Sequence, residues 1–175
     1  TEAAVFDDWN DGDYTGWTKT GGTWSVSGGQ LNQTATSNSY VLYKDGFSSG
    51  SQTIEAKVKV VGGTGHSAYI VFRGTDASNY WVFGIRTDQD RVRVARIRAG
   101  AWYSELAYAN LTLVDNQYSL RVVIEGTRVR GWVDCEPVID ANSSYIPLTG
   151  KAGLSTRNAN ASFEDVRIYG ATVLP

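Results

Sequence analysis

The stretch Thr53-Ile-Glu-Ala-Lys-Val-Lys-Val60 alternates apolar and charged residues after its first position. Successive side chains of a β-strand point to opposite sides, so this spacing separates an apolar face from a charged face. The apolar face consists of Ile54, Ala56, Val58 and Val60. One apolar and one charged face are typical of an antiparallel sheet with one solvated side. The stretch therefore predicts a strand.

The same two-residue period recurs outside this stretch, and we find no helical stripe anywhere in the chain. It is clearest in residues 118–124, 128–133 and 163–168. Glycine-containing turns separate the alternating stretches. Short strands at this spacing predict an all-β fold, an antiparallel two-sheet sandwich. Because we find no linker or change of composition, we expect residues 1–175 to form a single domain.

The composition narrows the class of partner. The 175 residues carry a net charge of −2, so no global field attracts nucleic acid or anionic lipid. No apolar run approaches the roughly 20 residues of a membrane span. We therefore expect no nucleic-acid partner and no membrane insertion. Six Trp and ten Tyr residues favour a surface that is both hydrated and adhesive, because their large rings also carry polar atoms.

Two alternating stretches flank the loop 74–78 and predict a β-hairpin. If Arg73 lies opposite Tyr80, one face is wholly apolar and belongs to the core. The reverse face then has Tyr69 opposite Gly84. A slip of one residue would scramble both faces, so the two patterns support one register. The reverse face predicts a shallow carbohydrate-binding floor, rimmed by Trp102; its residues are Tyr69, Arg73, Tyr80, Arg86 and Trp102.

The remaining tryptophans divide by context. Trp24, Trp81 and Trp132 fall in alternating stretches and are predicted to lie in the core. Other aromatic residues lie in or beside turns, where some are expected to be exposed: Trp9, Tyr14, Trp17, Trp102, Tyr103 and Tyr145. Exposed rings would stack on the apolar faces of sugars, while nearby polar side chains bind the hydroxyls.

The basic stretch Arg91-Val-Arg-Val-Ala-Arg-Ile-Arg98 has two interpretations. Strict alternation places Arg91 and Arg93 on one face and Arg96 and Arg98 on the other, whereas a bulge near Val94-Ala95 would return all four to one side. One interpretation is a solvated strand protected from edge pairing by its charges. The other is a surface that binds a carboxylated or sulfated glycan through paired arginine contacts.

The acidic stretch Asp7-Asp-Trp-Asn-Asp-Gly-Asp13 supplies closely spaced oxygen ligands, which suit Ca²⁺. It does not have the residue pattern of an EF-hand loop, and Asp and Asn are also ordinary turn residues. If the first and last strands pair, Asp7 or Asp8 would meet Asp165 on one ion near both chain ends.

Catalytic signatures are sparse. His66 is the only histidine and lies in a glycine-rich stretch, and no serine stands in a nucleophile-elbow motif. Cys135 is the only cysteine, so it forms no internal disulfide. Four Asn-X-Ser/Thr motifs lean toward a secreted or surface protein; these candidate glycosylation sites are Asn32, Asn110, Asn142 and Asn160.

Several motifs together resemble a known group of domains. They include Phe6-Asp-Asp-Trp-Asn-Asp-Gly12, Gly16-Trp17, Trp24-Ser-Val-Ser-Gly-Gly-Gln-Leu31, Ile70-Val-Phe-Arg73 with Asn79-Tyr-Trp81, and Ser162-Phe-Glu-Asp-Val166. The chain resembles the concanavalin A-like, laminin G-like jelly-roll modules, especially family 66 carbohydrate-binding modules and 3-keto-disaccharide hydrolase-type domains. The sequence departs from such modules at Asp134-Cys-Glu-Pro137, where an Asp-Gly turn is common.

The resemblance implies a two-sheet jelly roll, often extracellular, and it strengthens the expectation of a structural calcium held by Asp7, Asp8 and Asp165. The leading hypothesis is a non-catalytic extracellular carbohydrate-binding module whose partner is a polysaccharide or oligosaccharide. The alternative is a self-assembling subunit of a filament, tube or surface layer, in which the apolar chain ends 2–6 and 171–175 pair with copies of the chain. A glycoside hydrolase-type enzyme is the third hypothesis.

Overall fold

A computed structural model describes residues 4–114 and 116–170 of the chain. In these ranges the only helical element is a 3₁₀ turn at Thr87–Gln89. The strands are Val5–Asp7 (β1), Trp17–Lys19 (β2), Trp24–Ser27 (β3), Gln30–Gln33 (β4), Ser39–Lys44 (β5), Gln52–Gly62 (β6), Ser67–Gly74 (β7), Tyr80–Arg86 (β8), Arg91–Arg98 (β9), Ala101–Asn110 (β10), Gln117–Glu125 (β11), Arg128–Val133 (β12), Glu136–Asn142 (β13), Lys151–Arg157 (β14) and Asn160–Gly170 (β15).

The strands form two antiparallel sheets. The first sheet has the order β13-β12-β11-β6-β15-β4-β3, and β1 also pairs with β15. The second sheet has the order β10-β9-β8-β7-β14-β5-β2. The inner faces of both sheets contribute to one large buried apolar cluster. The predicted all-β, jelly-roll-like sandwich is therefore confirmed.

The alternation read from the sequence accounts for this core. Ile54, Ala56, Val58 and Val60 of β6 are all buried on the inner face, and Trp24 and Trp81 are buried as predicted. The core prediction for Trp132 is wrong, because this side chain is half-buried and lies outside the core cluster. A Cβ atom at the preceding Gly131 would lie 2.3 Å from the Phe83 ring, so the ring of the opposite sheet occupies the inner side of β12 there.

The β7–β8 hairpin has the predicted register from Ala68–Ile85 to Phe72–Trp81, including Tyr69 opposite Gly84. The predicted pairing of Arg73 with Tyr80 is wrong. Arg73 has φ = 49°, and the register between β14 and β7 shifts at this point, between Lys151 and Gly153. This bulge takes the Arg73 side chain off the predicted face, because an extra residue changes which side of the sheet a side chain leaves from.

Of the two arrangements considered for the basic stretch, strict alternation is the one observed. β9 pairs with β8 in continuous register from Arg91 to Ile97, so its arginines stay divided between the two faces. The register shifts of this hairpin lie in the partner strand β10 instead, between Trp102 and Ser104 and between Glu105 and Ala107.

The two ends of the described chain meet in the first sheet. Val5, Phe6 and Asp7 of β1 pair with Ile168, Arg167 and Val166 of β15. The first and last strands thus pair, as the calcium hypothesis required. Among the described residues, no helix is long and apolar enough to cross a membrane.

Candidate functional site

The outer face of the second sheet holds most of the predicted floor. Across its strands, Arg93 lies opposite Gly84, and Gly84 lies opposite Tyr69. A Cβ atom at Gly84 would come within 2.8 Å of the Tyr69 ring. The glycine therefore leaves the space that the Tyr69 ring occupies, and Arg93 reaches the tyrosine hydroxyl across it.

Arg93 is the buried centre of this face. It is 5% exposed, and its Nε and Nη2 both donate to the Tyr69 hydroxyl, at 2.9 and 2.5 Å. Its Nη1 lies 3.6 Å from the Glu105 carboxylate. The guanidinium carbon stands 4.2 Å from the centre of the Trp102 ring, a cation–π contact. A hydroxyl, a carboxylate and an indole thus fix one buried cation.

Arg157 contacts the same indole but forms no ion pair with another of the described residues. Its guanidinium carbon lies 4.7 Å from the centre of the Trp102 ring. Its Nη1 is buried and has no hydrogen-bond partner among the described residues. Burial lowers the pKa of Arg157, and the positive charges of Arg93 and Arg86 lower it further. Arg157 is therefore a partly desolvated cation whose Nη1 can still donate a hydrogen bond.

Two further arginines border the same face. Arg86 is half-buried and donates from Nε and Nη2 to the two oxygens of Asp88, at 2.8 and 3.2 Å. Arg91 lies 3.4 Å from Glu105 and 4.2 Å from the centre of the exposed Tyr108 ring. With Arg93 and Arg157, the face holds four arginines against the two carboxylates of Asp88 and Glu105, an excess of positive charge. We call this group the arginine–aromatic face: Tyr69, Arg86, Arg91, Arg93, Trp102, Glu105 and Arg157.

The structure brings three of the five predicted carbohydrate-binding residues, Tyr69, Arg86 and Trp102, to this face, and it packs Tyr80 in the same buried cluster as Tyr69. Tyr69 and Tyr80 are only 1% and 4% exposed, so the prediction of an open tyrosine floor is wrong. Arginine and indole side chains cover Tyr69. Burial raises the pKa of the Tyr80 phenol, partly offset by hydrogen bonds with Ser155 and Ser39. Arg86 and Trp102 remain partly exposed.

Arg73, the fifth predicted residue, does not join this face. It is fully buried, and its guanidinium donates to the carbonyl oxygens of Pro147 and Gly50. Sequence reasoning missed Arg157 and Glu105. The signal for Arg157 was present, since Ser155 and Arg157 are two residues apart on β14 and therefore leave the same side of the sheet.

The predicted calcium ligands are not gathered by the structure. Asp7 accepts from the Trp9 amide at 3.1 Å and from Trp17 Nε1 at 2.8 Å. Asp8 accepts from Asn10, and Asp165 accepts from Lys57 Nζ at 2.5 Å. Within residues 4–114 and 116–170, no group of three or more acidic, His or Cys side chains is placed to hold a metal. As placed, these residues do not fit a calcium site.

One of the other candidate groups, Asn110, lies on β10 opposite Arg91 of the arginine–aromatic face. Cys135 is exposed and unpaired in the turn between β12 and β13. The four candidate glycosylation residues lie on or at the ends of strands, where Asn110 and Asn142 are exposed and Asn32 and Asn160 are half-buried. Their use as glycosylation sites stays a prediction.

Comparison with known proteins supports the resemblance read from the motifs. A family model described as "3-keto-alpha-glucoside-1,2-lyase-like domain" matches residues 4–169. A levanase of Bacillus subtilis (strain 168) is 30% identical over 155 residues, which are 87% of this chain and 22% of the levanase. The chain therefore spans about a fifth of the length of that relative.

Solved structures agree with the fold. The carbohydrate-binding module CBM66 from Bacillus subtilis matches with a TM-score of 0.81 and 26% identity, covering 89% of this chain and 96% of that one. A Bacillus licheniformis β-glucanase matches with a TM-score of 0.71 and 15% identity over 98% and 100% of the two chains. The VIP36 exoplasmic/lumenal domain matches with a TM-score of 0.73 and 13% identity over 100% and 92%. The last two likenesses concern the fold alone.

Proposed function

This chain belongs to the 3-keto-alpha-glucoside-1,2-lyase-like domain family, and from that premise we propose that it is a carbohydrate-binding module without catalytic activity of its own. The glycan binds on the arginine–aromatic face. The observation that carries this assignment is Arg157, whose Nη1 is buried beside the partly exposed Trp102 and has no acceptor in the part of the chain that the structure describes. A sugar hydroxyl supplies the missing acceptor.

The chemistry of the face suits a polyhydroxylated ligand. Arginine presents several N–H donors in a rigid fork, and sugar hydroxyls accept such bonds. Trp102 holds two of the guanidinium groups through cation–π contacts, and its ring is partly exposed. Tyr69 and Glu105 keep Arg93 in place from behind. Binding needs no bond to be made or broken.

The names of two relatives guide the choice of test ligand. One relative is a levanase, and a solved structure with a similar fold is a carbohydrate-binding module. We therefore propose levan as the first glycan to test. The same proposal places this chain outside the cell, where polysaccharides are available to bind.

The test compares two variants with a matched control. Arg157→Gln removes a partly desolvated charge that Arg93 and Arg86 repel, together with the contact of that charge with the Trp102 ring; thermal unfolding verifies that the variant is folded. The same change should weaken levan binding at least tenfold, measured by affinity electrophoresis and calorimetry. Trp102→Ala should also weaken binding at least tenfold.

Trp132→Ala is the control, because that half-buried tryptophan lies on the first sheet between Arg121 and Arg130. It should bind levan as the wild type does. Retention on no polysaccharide of a broad panel would contradict the proposal, as would full binding by Arg157→Gln.

Calcium binding stays a prediction. Asp165 can ligate calcium only after its ion pair with Lys57 breaks. A rise in Tm with calcium that disappears in Asp165→Asn would support the site, and an unchanged Tm would reject it.

The filament alternative also stays a prediction. Its first end, residues 2–6, includes Val5 and Phe6, which pair with β15 of the same chain, and residues 171–175 lie outside the described residues. The enzyme hypothesis requires turnover of a disaccharide that one carboxylate substitution abolishes.

A further inference from the structure

A separate cavity of about 210 Å³ lies where the β7–β8 hairpin meets the segment 145–147. Arg73, Arg96 and Tyr145 are among the residues that line it. Arg96 reaches it because β9 runs without a register shift: three residues after Arg93, its side chain leaves the strand on the opposite side. The division of the β9 arginines between two faces thus supplies Arg91 and Arg93 to the arginine–aromatic face and Arg96 to this cavity.

The cavity holds two guanidinium groups and no carboxylate. Arg73 is fully buried, its acceptors are the neutral carbonyls of Pro147 and Gly50, and its Nε has no partner among the described residues. Arg96 forms no ion pair within residues 4–114 and 116–170. Burial lowers the pKa of Arg73. A buried charge without a counter-ion is unfavourable. An anion that binds in the cavity would therefore supply the negative charge that the two arginines lack.

Two exposed tyrosines stand beside this charge. The Arg96 guanidinium carbon lies 5.4 Å from the ring centres of both Tyr103 and Tyr145, which are 56% and 71% exposed. Such exposure of large rings beside an unpaired cation indicates a surface for a ligand with both a negative group and an apolar face. The carboxylate of Asp76, in the loop of the hairpin, accepts hydrogen bonds from the Ser78 amide and from Asn79 Nδ2.

We propose that this cavity binds one sugar unit that carries a carboxylate, a hexuronate within a polysaccharide. The carboxylate pairs with the fork of Arg96, since planar carboxylates accept two parallel bonds from a guanidinium. The buried charge of Arg73 adds attraction from behind, and Tyr145 lies against the sugar ring.

The test uses trigalacturonate and its methyl ester, which share a skeleton and differ in charge. We expect calorimetry to detect trigalacturonate binding that weakens as salt is raised, and the ester to bind at least tenfold more weakly. Arg96→Gln should lose at least tenfold in affinity for trigalacturonate, and Tyr145→Ala should lose severalfold. Arg98→Gln is the matched control, because this exposed arginine lies beside Tyr103 but does not line the cavity; its affinity should stay within twofold.

The outcomes separate this site from the proposed levan site. Arg157→Gln should bind trigalacturonate as the wild type does, whereas Arg96→Gln should retain levan. Equal binding of acid and ester, no binding of either at millimolar concentration, or full binding by Arg96→Gln would overturn the proposal. Equally tight binding of a tetra-aspartate peptide would overturn its assignment to sugars. Thermal unfolding of each variant verifies that a loss of binding is not a loss of fold.

Discussion

At the scale of single residues, the Tyr69 hydroxyl stabilises the outer face of the second sheet. It is the acceptor for both Nε and Nη2 of Arg93, which is almost fully buried. Tyr69→Phe leaves those donors unpaired, and a lost bond to a buried charged group costs about 2 kcal/mol. We expect that decrease in the free energy of unfolding, measured by urea denaturation.

Tyr108→Phe is the matched control for this change. Its ring also lies against an arginine, Arg91, but the side chain is 53% exposed, and none of the described residues hydrogen-bonds with its hydroxyl. It should change the free energy of unfolding by less than about 0.5 kcal/mol. Equal effects of the two substitutions would show that Arg93 finds another acceptor when Tyr69 is changed.

At the scale of elements, Asp7 joins β1 of the first sheet to β2 of the second through its bond from Trp17 Nε1. Burial raises the pKa of Asp7 above its ordinary 3.8, although the bonds from Trp17 and Trp9 oppose this. The folded state therefore holds this proton more tightly than the unfolded state. The stability that Asp7 contributes is complete below pH 3.8 and is lost as the pH rises through the raised pKa.

Asp8 has the opposite sign, because hydrogen bonds from Asn10 lower its pKa. Its contribution is present above pH 3.8 and is lost as the pH falls through the lowered pKa. We expect Asp7→Asn to become more stable relative to the wild type as the pH rises above 4, and the advantage of the wild type over Asp8→Asn to shrink as the pH falls below 4. Urea unfolding from pH 3 to 7 measures both. Parallel curves for the two variants would contradict the assignment.

The strands also show which features of the fold the alternation of apolar and polar residues can predict. The hairpin register followed from two apolar faces that agree with each other, and the same physics placed β6. Alternation carries no sign of an inserted residue, so the bulge that moves Arg73 from the predicted floor into a second cavity was not foreseen. Trp132 was assigned to the core because it falls in an alternating stretch, whereas the Phe83 ring already fills the space at Gly131. The sequence therefore predicted where the candidate site lies, but not how deeply its side chains are buried.

At the scale of the whole molecule, the exposed edges of both sheets are protected against pairing with other chains. The edge strands β2 and β3 contain only three and four residues. The edge strand β13 contains Pro137, which lacks an N–H group, and the long edge strand β10 is interrupted by two register shifts. Short, bulged or proline-containing edges are poor templates for another strand.

We therefore expect the whole chain to be monomeric. Light scattering should give a mass near 19.1 kDa that changes with neither protein concentration nor calcium. A mass that rises with concentration would contradict this prediction and favour the filament alternative. Removing the proline in Pro137→Val restores an edge donor and raises strand propensity, so this variant should self-associate more readily than the wild type. If it remains monomeric too, the protection rests on the other edges and on the net charge rather than on Pro137.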